Sequence, residues 1–153
     1  MRTLAELLDH RDPAIPLIQK WAAEAVRAVE ILAPSEAREE ALLQTQVTTH
    51  STMGAVVYET GGIFIDHGWL RVLGSGHERL KRTLPSWNKD RANGLYLVAD
   101  DAVGGFFAMN GGALGEDLKN VYYFAPDSLD WEPLNLGYSD FLHWTCAGKL
   151  DVF

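Results

Sequence analysis

Apolar and polar positions divide the chain into a helical first third and a strand-rich remainder. Thr3 and Glu6 have the spacing of a capping box, which predicts a short helix over 4–10. Asp12 followed by Pro13 predicts the start of a second helix, because a proline at the first helical position loses no hydrogen bond. Along it Ala14, Leu17, Ile18, Trp21 and Ala25 share one face, while Gln19, Lys20 and Glu24 share the other. That apolar stripe is expected to lie on a core. "AVRAVEIL" alternates like a strand and ends at Pro34. Ser35 then stands where it would cap a third helix, "EAREEALLQTQ", whose early acids suit the positive end of the helix dipole.

From Met53 the character changes. "GAVVYE", "GIFID", "GWLRVLG", "GLYLVAD", "GGFFAMN" and "NVYYFAP" are short apolar runs separated by Gly, Asp and Asn. Most links between them are shorter than the dozen or so residues a parallel crossover needs, so the runs are read as an antiparallel meander. Ser139 is placed to open a last helix with Tyr138, Phe141, Leu142 and Thr145 facing inward. Residues 76–93 fit either a long loop or one containing a short helix. The expected fold is a single α+β domain over residues 1–153, with N-terminal helices, a mainly antiparallel central sheet and a C-terminal helix.

Composition narrows the class. At 153 residues, 47% hydrophobic and 22% charged, the chain suits one soluble domain with a substantial core. No apolar run approaches the roughly 20 residues that cross a bilayer, and charges arrive too early at the N-terminus for a secretory leader. The one cysteine, Cys146, has no internal partner, and its apolar setting predicts a buried structural thiol. A cytoplasmic location is expected from these features.

Charge is unevenly spread. The net value is −8. Residues 1–45 carry −3, residues 46–94 carry +2 and residues 95–153 carry −7. The acidic last third would repel a nucleic acid and attract a basic partner.

Candidate chemistry is sparse. Asp100 and Asp101 could bind a hard cation or share a proton, but neighbours on an extended chain point to opposite faces, and Asp is a good turn former. Gly104 and Gly105 are expected to supply a positive φ or a bulge. Asn110-Gly111-Gly112 lacks the spacing and the terminal Lys-Ser/Thr of a phosphate-binding loop. The five histidines show no metal-ligand spacing, so no metal or other cofactor is expected. His50 beside Ser51 has no nucleophile elbow around it. Arg79, Lys81, Arg82, Lys89 and Arg91 around Trp87 could grip phosphates, although Glu78 and Asp90 dilute them, and a solvated loop face is the expectation.

The order of strings resembles a known family. "ALLQTQVTTHSTMGAVVYETGGIFIDHGWLRVLGSGHERL", "LYLVADDAVGGFFAMNGG" and "NVYYFAPDSLDWEPLNLGYSDFLHW" look like the bacterial domain-of-unknown-function family 2625, from about Asp12 to the C-terminus. A looser resemblance is to the SUKH (Smi/Knr-like) superfamily, through "GGIFID", "VADDAVGGFFAMN" and "YYFAPDSLDWE" before a last helix. Many bacterial members of that superfamily are regarded as immunity proteins against toxins. The resemblance therefore implies a compact, non-catalytic module whose partner is another protein.

Two readings follow. In the first, the chain is a protein-binding module, and Asp100, Asp101, Glu116, Asp117, Asp127 and Asp130 hold a basic partner such as a toxin. In the second, it binds or hydrolyses a small molecule in a polar pocket around Asp66, His67, Asp100 and Asn110, with His50 as a base. A third option is a housekeeping domain that acts as a homodimer through an apolar patch.

Overall fold

The computed structural model describes residues 1–90 and 93–147. Its helices are α1 (Leu4–Leu7), α2 (Ile15–Glu24), α3 (Arg38–Thr45), α4 (Thr52–Glu59), α5 (Leu84–Asn88) and α6 (Tyr138–Cys146). The strands are β1 (Val29–Leu32), β2 (Gly62–Ile65), β3 (Leu70–Leu73), β4 (Leu95–Asp101), β5 (Phe106–Asn110), β6 (Val121–Ala125) and β7 (Asp130–Leu136). All seven form one sheet in chain order, each pair antiparallel. The expected α+β meander is present.

The helix starts show where local signals were outcompeted. Thr3 and Glu6 do close both bonds of the capping box, although α1 stops at Leu7 rather than at residue 10. Asp12 does not cap α2, which begins after Ala14 without a side-chain cap and with Pro16 in its first turn. The carboxylate used here belongs to Asp9, which accepts the N–H groups of Arg11 and Asp12 at 2.9 and 3.0 Å. Leu17, assigned to the inner stripe, is 43% exposed. Ser35 is not the N-cap of α3, which starts after Ala37. Its hydroxyl accepts the Ala37 N–H at 3.1 Å and donates to the carbonyl of Ser75, just past β3, at 2.7 Å.

"GAVVYE" is the clear correction. It is helix α4, not a strand. Ser51 caps it by accepting the Gly54 N–H at 3.0 Å, and Thr52 through Tyr58 are all buried. A helix surrounded on every side, here by α2, α3, α6 and β2, has no polar stripe. Hydrophobic periodicity therefore cannot tell it from a buried strand. The reverse error is β7, "DWEPLNL", whose alternating exposure and Pro133 are tolerated because it is an edge strand.

Register lines the sheet into two cross-strand rows. Ile31, Ile63, Val72, Ala99, Phe107, Tyr123 and Glu132 are successive partners. Phe107 of this row packs on Phe141 of α6, with ring centroids 5.0 Å apart, so the helical layer covers this face. Glu30, Phe64, Arg71, Asp100, Phe106, Phe124 and Trp131 form the neighbouring row on the opposite face. The β3–β4 connection lies over part of it. Arg79 pairs with Glu30 and sits over the Phe64 ring. Arg82 sits over Trp87, which packs on Phe106 at 5.7 Å.

That connection contains the short helix α5, opened by a Thr83–Ser86 capping box. Arg91, from the basic group noted above, lies outside the described residues, as does Ala92. Cys146 is buried as expected, and burial pushes its thiol pKa up. No helix among the described residues is long and apolar enough to cross a membrane.

Candidate functional site

In a meander, alternate turns fall at the same end of the sheet. The β2–β3, β4–β5 and β6–β7 turns therefore meet, together with Arg27 ahead of β1, around a cleft of about 780 Å³. Each turn is shaped by its own residues. Asp66, His67 and Gly68 all take positive φ, a conformation Gly and Asp accept most readily. The Asp66 carboxylate accepts from Arg27 Nη1 at 3.0 Å. At β4–β5, Asp101 Oδ1 accepts the N–H groups of Val103 and Gly105 at 3.1 and 2.8 Å, while Gly104 supplies the positive φ. At β6–β7, Asp127 accepts the Ser128 N–H at 2.9 Å and Leu129 takes the positive φ.

"DDAVGG" is thus a hairpin turn whose first acid stays in β4 and whose second organises the bend. Both carboxylates are buried, 6% and 2% exposed. They point to opposite faces, as adjacent strand residues must. Asp100 receives Arg71 through Nε and Nη2 at 3.0 and 3.2 Å and Arg82 Nη1 at 2.8 Å. Asp101 Oδ2 takes the Tyr123 hydroxyl at 2.6 Å. Neither is a surface charge: Asp100 lies within the sheet, and Asp101, although it lines the hairpin-end cleft, has its carboxylate taken up by the turn and by Tyr123.

The remaining expected residues are scattered. Glu116 and Asp117 sit in the β5–β6 loop, at the other end of the sheet. Asn110 is buried there as the organiser of that loop. Its Oδ1 accepts from Gly112 and Leu114 at 2.8 and 3.0 Å, and its Nδ2 donates to Gly115 O at 2.9 Å. The Tyr122 hydroxyl, at 2.6 Å, is the main cause holding the Asp117 carboxyl below its usual range. His50 lies in a second cleft, its Nδ1 2.8 Å from the Asp12 carbonyl. Asp66, His67, Asp100, Asn110 and His50 are therefore not gathered into one pocket. Among the described residues, no three His, Cys, Asp or Glu side chains gather as metal ligands.

What the hairpin-end cleft does assemble is apolar surface with an acidic border. Trp69 and Val103 line it at 42% and 54% exposure, and Leu129 in the β6–β7 turn is 70% exposed. Asp127 and Glu132 border it, with exposed Asp130 opening β7 alongside. Of the acids expected to meet a partner, Asp127 and Asp130 are the ones free to do so here. Arg27, Tyr123 and Glu132 were not foreseen. Tyr123 and Glu132 reach the cleft through strand register, and Arg27 had no sequence signal.

Tyr123 also supplies a pH signature. Burial first, then the hydrogen bond to Asp101, pushes its pKa above the ordinary 10.0, and burial does the same to Tyr138. A pKa raised by folding stabilises fully below the unfolded value and is lost as pH climbs through the folded one. Unfolding is therefore expected to set in above about pH 10. Tyrosinate absorbance from these rings should rise together with loss of circular dichroism; a rise on a folded chain would contradict the burial.

Comparison with known proteins places the chain. A family model described as "Protein of unknown function DUF2625" matches residues 4–153. A relative in Escherichia coli strain K12, "Putative uncharacterized protein YbfG", is 50% identical over 157 residues, covering 100% of this chain and 73% of the relative. An "Uncharacterized protein" of Haemophilus influenzae is 40% identical over 161 residues, covering 100% of this chain and 71% of the relative. With a match over almost the whole length and two such relatives, the chain belongs to the DUF2625 family.

Proposed function

We propose that this protein is a non-catalytic binding module whose hairpin-end cleft holds a basic segment of another protein. One observation carries the reading: an exposed Trp69, with Val103 and Leu129, stands among the exposed carboxylates of Asp127, Asp130 and Glu132. A large aromatic beside small apolar groups is the composition of an interface centre, and like charges around it select and steer the partner. The net charge of −8 acts in the same direction at longer range. A basic toxin is one partner of this chemistry, which makes an immunity role the specific form of the proposal. The looser resemblance to SUKH domains supports that form.

The test compares three immobilised proteins in a bacterial lysate: the natural chain, Trp69→Ala and Asp127→Lys. A basic protein should be retained by the natural chain at low salt and released as salt screens the contact. Trp69→Ala should weaken retention about tenfold or more, the scale of an interface anchor. Asp127→Lys should chiefly slow association. Identical captured proteins from all three would remove the cleft from consideration.

A further inference from the structure

We propose that the sheet face turned away from the helical layer binds a nucleoside monophosphate, its phosphate on Arg71 and Arg82 and its base over Phe106 and Phe124. None of these four side chains lines the hairpin-end cleft, so this proposal and the previous one stand independently. The arginine pair carries it. Asp100 already has a full partner in Arg71, which meets both its oxygens through Nε and Nη2 at 3.0 and 3.2 Å. Arg82 Nη1 then brings a second guanidinium to Oδ2, at 2.8 Å. Because both arginines bond the same oxygen, two like charges lie side by side on one carboxylate. A neutral donor would satisfy that oxygen without the repulsion. Neither arginine has another carboxylate partner among the described residues, so the trio keeps one positive charge in excess.

Donors for a second anion are in place. Arg71 Nη1 and Arg82 Nε and Nη2 donate to no atom among the described residues, and none of the three is sealed from solvent. The two side chains are 33% and 34% exposed, so these N–H groups can be reached while their stems are held. Arg82 is held further by stacking on Trp87, 4.7 Å from the ring centroid. Guanidinium groups fixed in this way lose little freedom on binding, and their forked N–H pairs match phosphate oxygens. Arg71, Arg82 and the exposed Lys81 also belong to the stretch 46–94 that carries +2, outside the acidic last third.

The same row of the sheet supplies a platform for a ring. Asp100, Phe106, Phe124 and Trp131 are successive cross-strand partners on this face. Phe106 and Phe124 are half-buried, with ring centroids 6.2 Å apart and planes 29° from parallel. Phe124 in turn meets Trp131 at 5.1 Å. One strand step is about 4.8 Å, so the two phenylalanines lie roughly 5–10 Å along the row from Asp100 and its arginines. A pentose spans such a gap between a phosphate and a base, and a base stacks on aromatic side chains presented in this way.

Adenosine 5′-monophosphate is the probe, titrated into the full chain with amide NMR as the readout. Saturable shifts are expected at Arg71, Phe106 and Phe124, with a Kd of about 1 mM or tighter. Adenosine, lacking the charge, and inorganic phosphate, lacking the ring, should each bind about tenfold more weakly. Phenyl phosphate, whose ring sits directly on the phosphate and cannot reach the platform, should bind more weakly than the nucleotide. Arg82→Met keeps a long stem over Trp87 and leaves the Arg71–Asp100 pair intact, so the fold should be kept while nucleotide affinity drops about tenfold. Phe124→Leu should reduce the advantage of the nucleotide over inorganic phosphate and leave phosphate binding unchanged. Unmoved amides, adenosine or phenyl phosphate binding as tightly as the nucleotide, or Arg82→Met binding as tightly as the natural chain would each overturn the assignment. Sulfate binding as well as the nucleotide would mean an adventitious ion only, and would overturn it too.

Discussion

Replacing Asp100 with alanine should lower the unfolding free energy by about 3 kcal/mol, the largest loss expected from any single carboxylate here. Asp100 accepts three bonds from Arg71 and Arg82 in the middle of the sheet. Without it two guanidinium groups face each other with no counter-charge. Their side chains are 33% and 34% exposed, so water relieves part of the penalty and the lower end of the usual range applies. Urea denaturation measures the change. Glu30→Ala provides the contrast, because its partner Arg79 is more than half exposed and such pairs contribute at most about 1 kcal/mol. Replacing both arginines by methionine in the Asp100→Ala background should recover much of the loss. An Asp100→Ala effect no larger than that of Glu30→Ala would show that the pair is not structural.

Gly54→Ala should be comparably damaging, against the usual rule. In the interior of a helix such a change ordinarily gains about 1 kcal/mol. Here a Cβ would stand 2.5 Å from the carbonyl carbon of Thr48 and 3.1 Å from the Thr49 nitrogen, both backbone atoms. That loop cannot retreat cheaply. Thr49 N–H donates to Leu7 O, its carbonyl accepts from Ala14, and its hydroxyl accepts from Asp9, at 2.9, 2.9 and 2.7 Å. The net expectation is a loss of about 3 kcal/mol, or a fall in Tm of roughly 6–12 °C. Gly137→Ala is the control, since its Cβ would meet nothing within 4 Å. Equal melting temperatures for the two variants would mean that α4 is not packed against this loop.

Most strands were legible because Gly and Asp punctuate them. "GIFID" and "GWLRVLG" are separated by a turn that those residues can adopt, and links too short for a parallel crossover did the rest. "GAVVYE" was not legible, because a segment buried on all sides shows neither a period of two nor of 3.6. Strand β7 was hidden by its exposed polar positions and Pro133, features that only an edge location permits. For the candidate site, Asp127 could be anticipated as a surface group, whereas nothing local marks Trp69 as exposed among the tryptophans. Which face Asp100 occupies, and that Tyr123 would meet Asp101, depends on register between strands far apart in sequence. Asn110 and His50 were read for chemistry although each is occupied in holding a loop to its neighbour.

The sheet in which spatial order follows chain order has a kinetic consequence. Each strand as it leaves the ribosome finds its mate already made, and never waits for a segment still to be synthesised. Assembly can therefore advance like a zip from the first strand to the last, with little entropy lost to closing long loops. The final helix then closes the structure, laying Phe141 over Phe107 once the strand bearing Phe107 is in place.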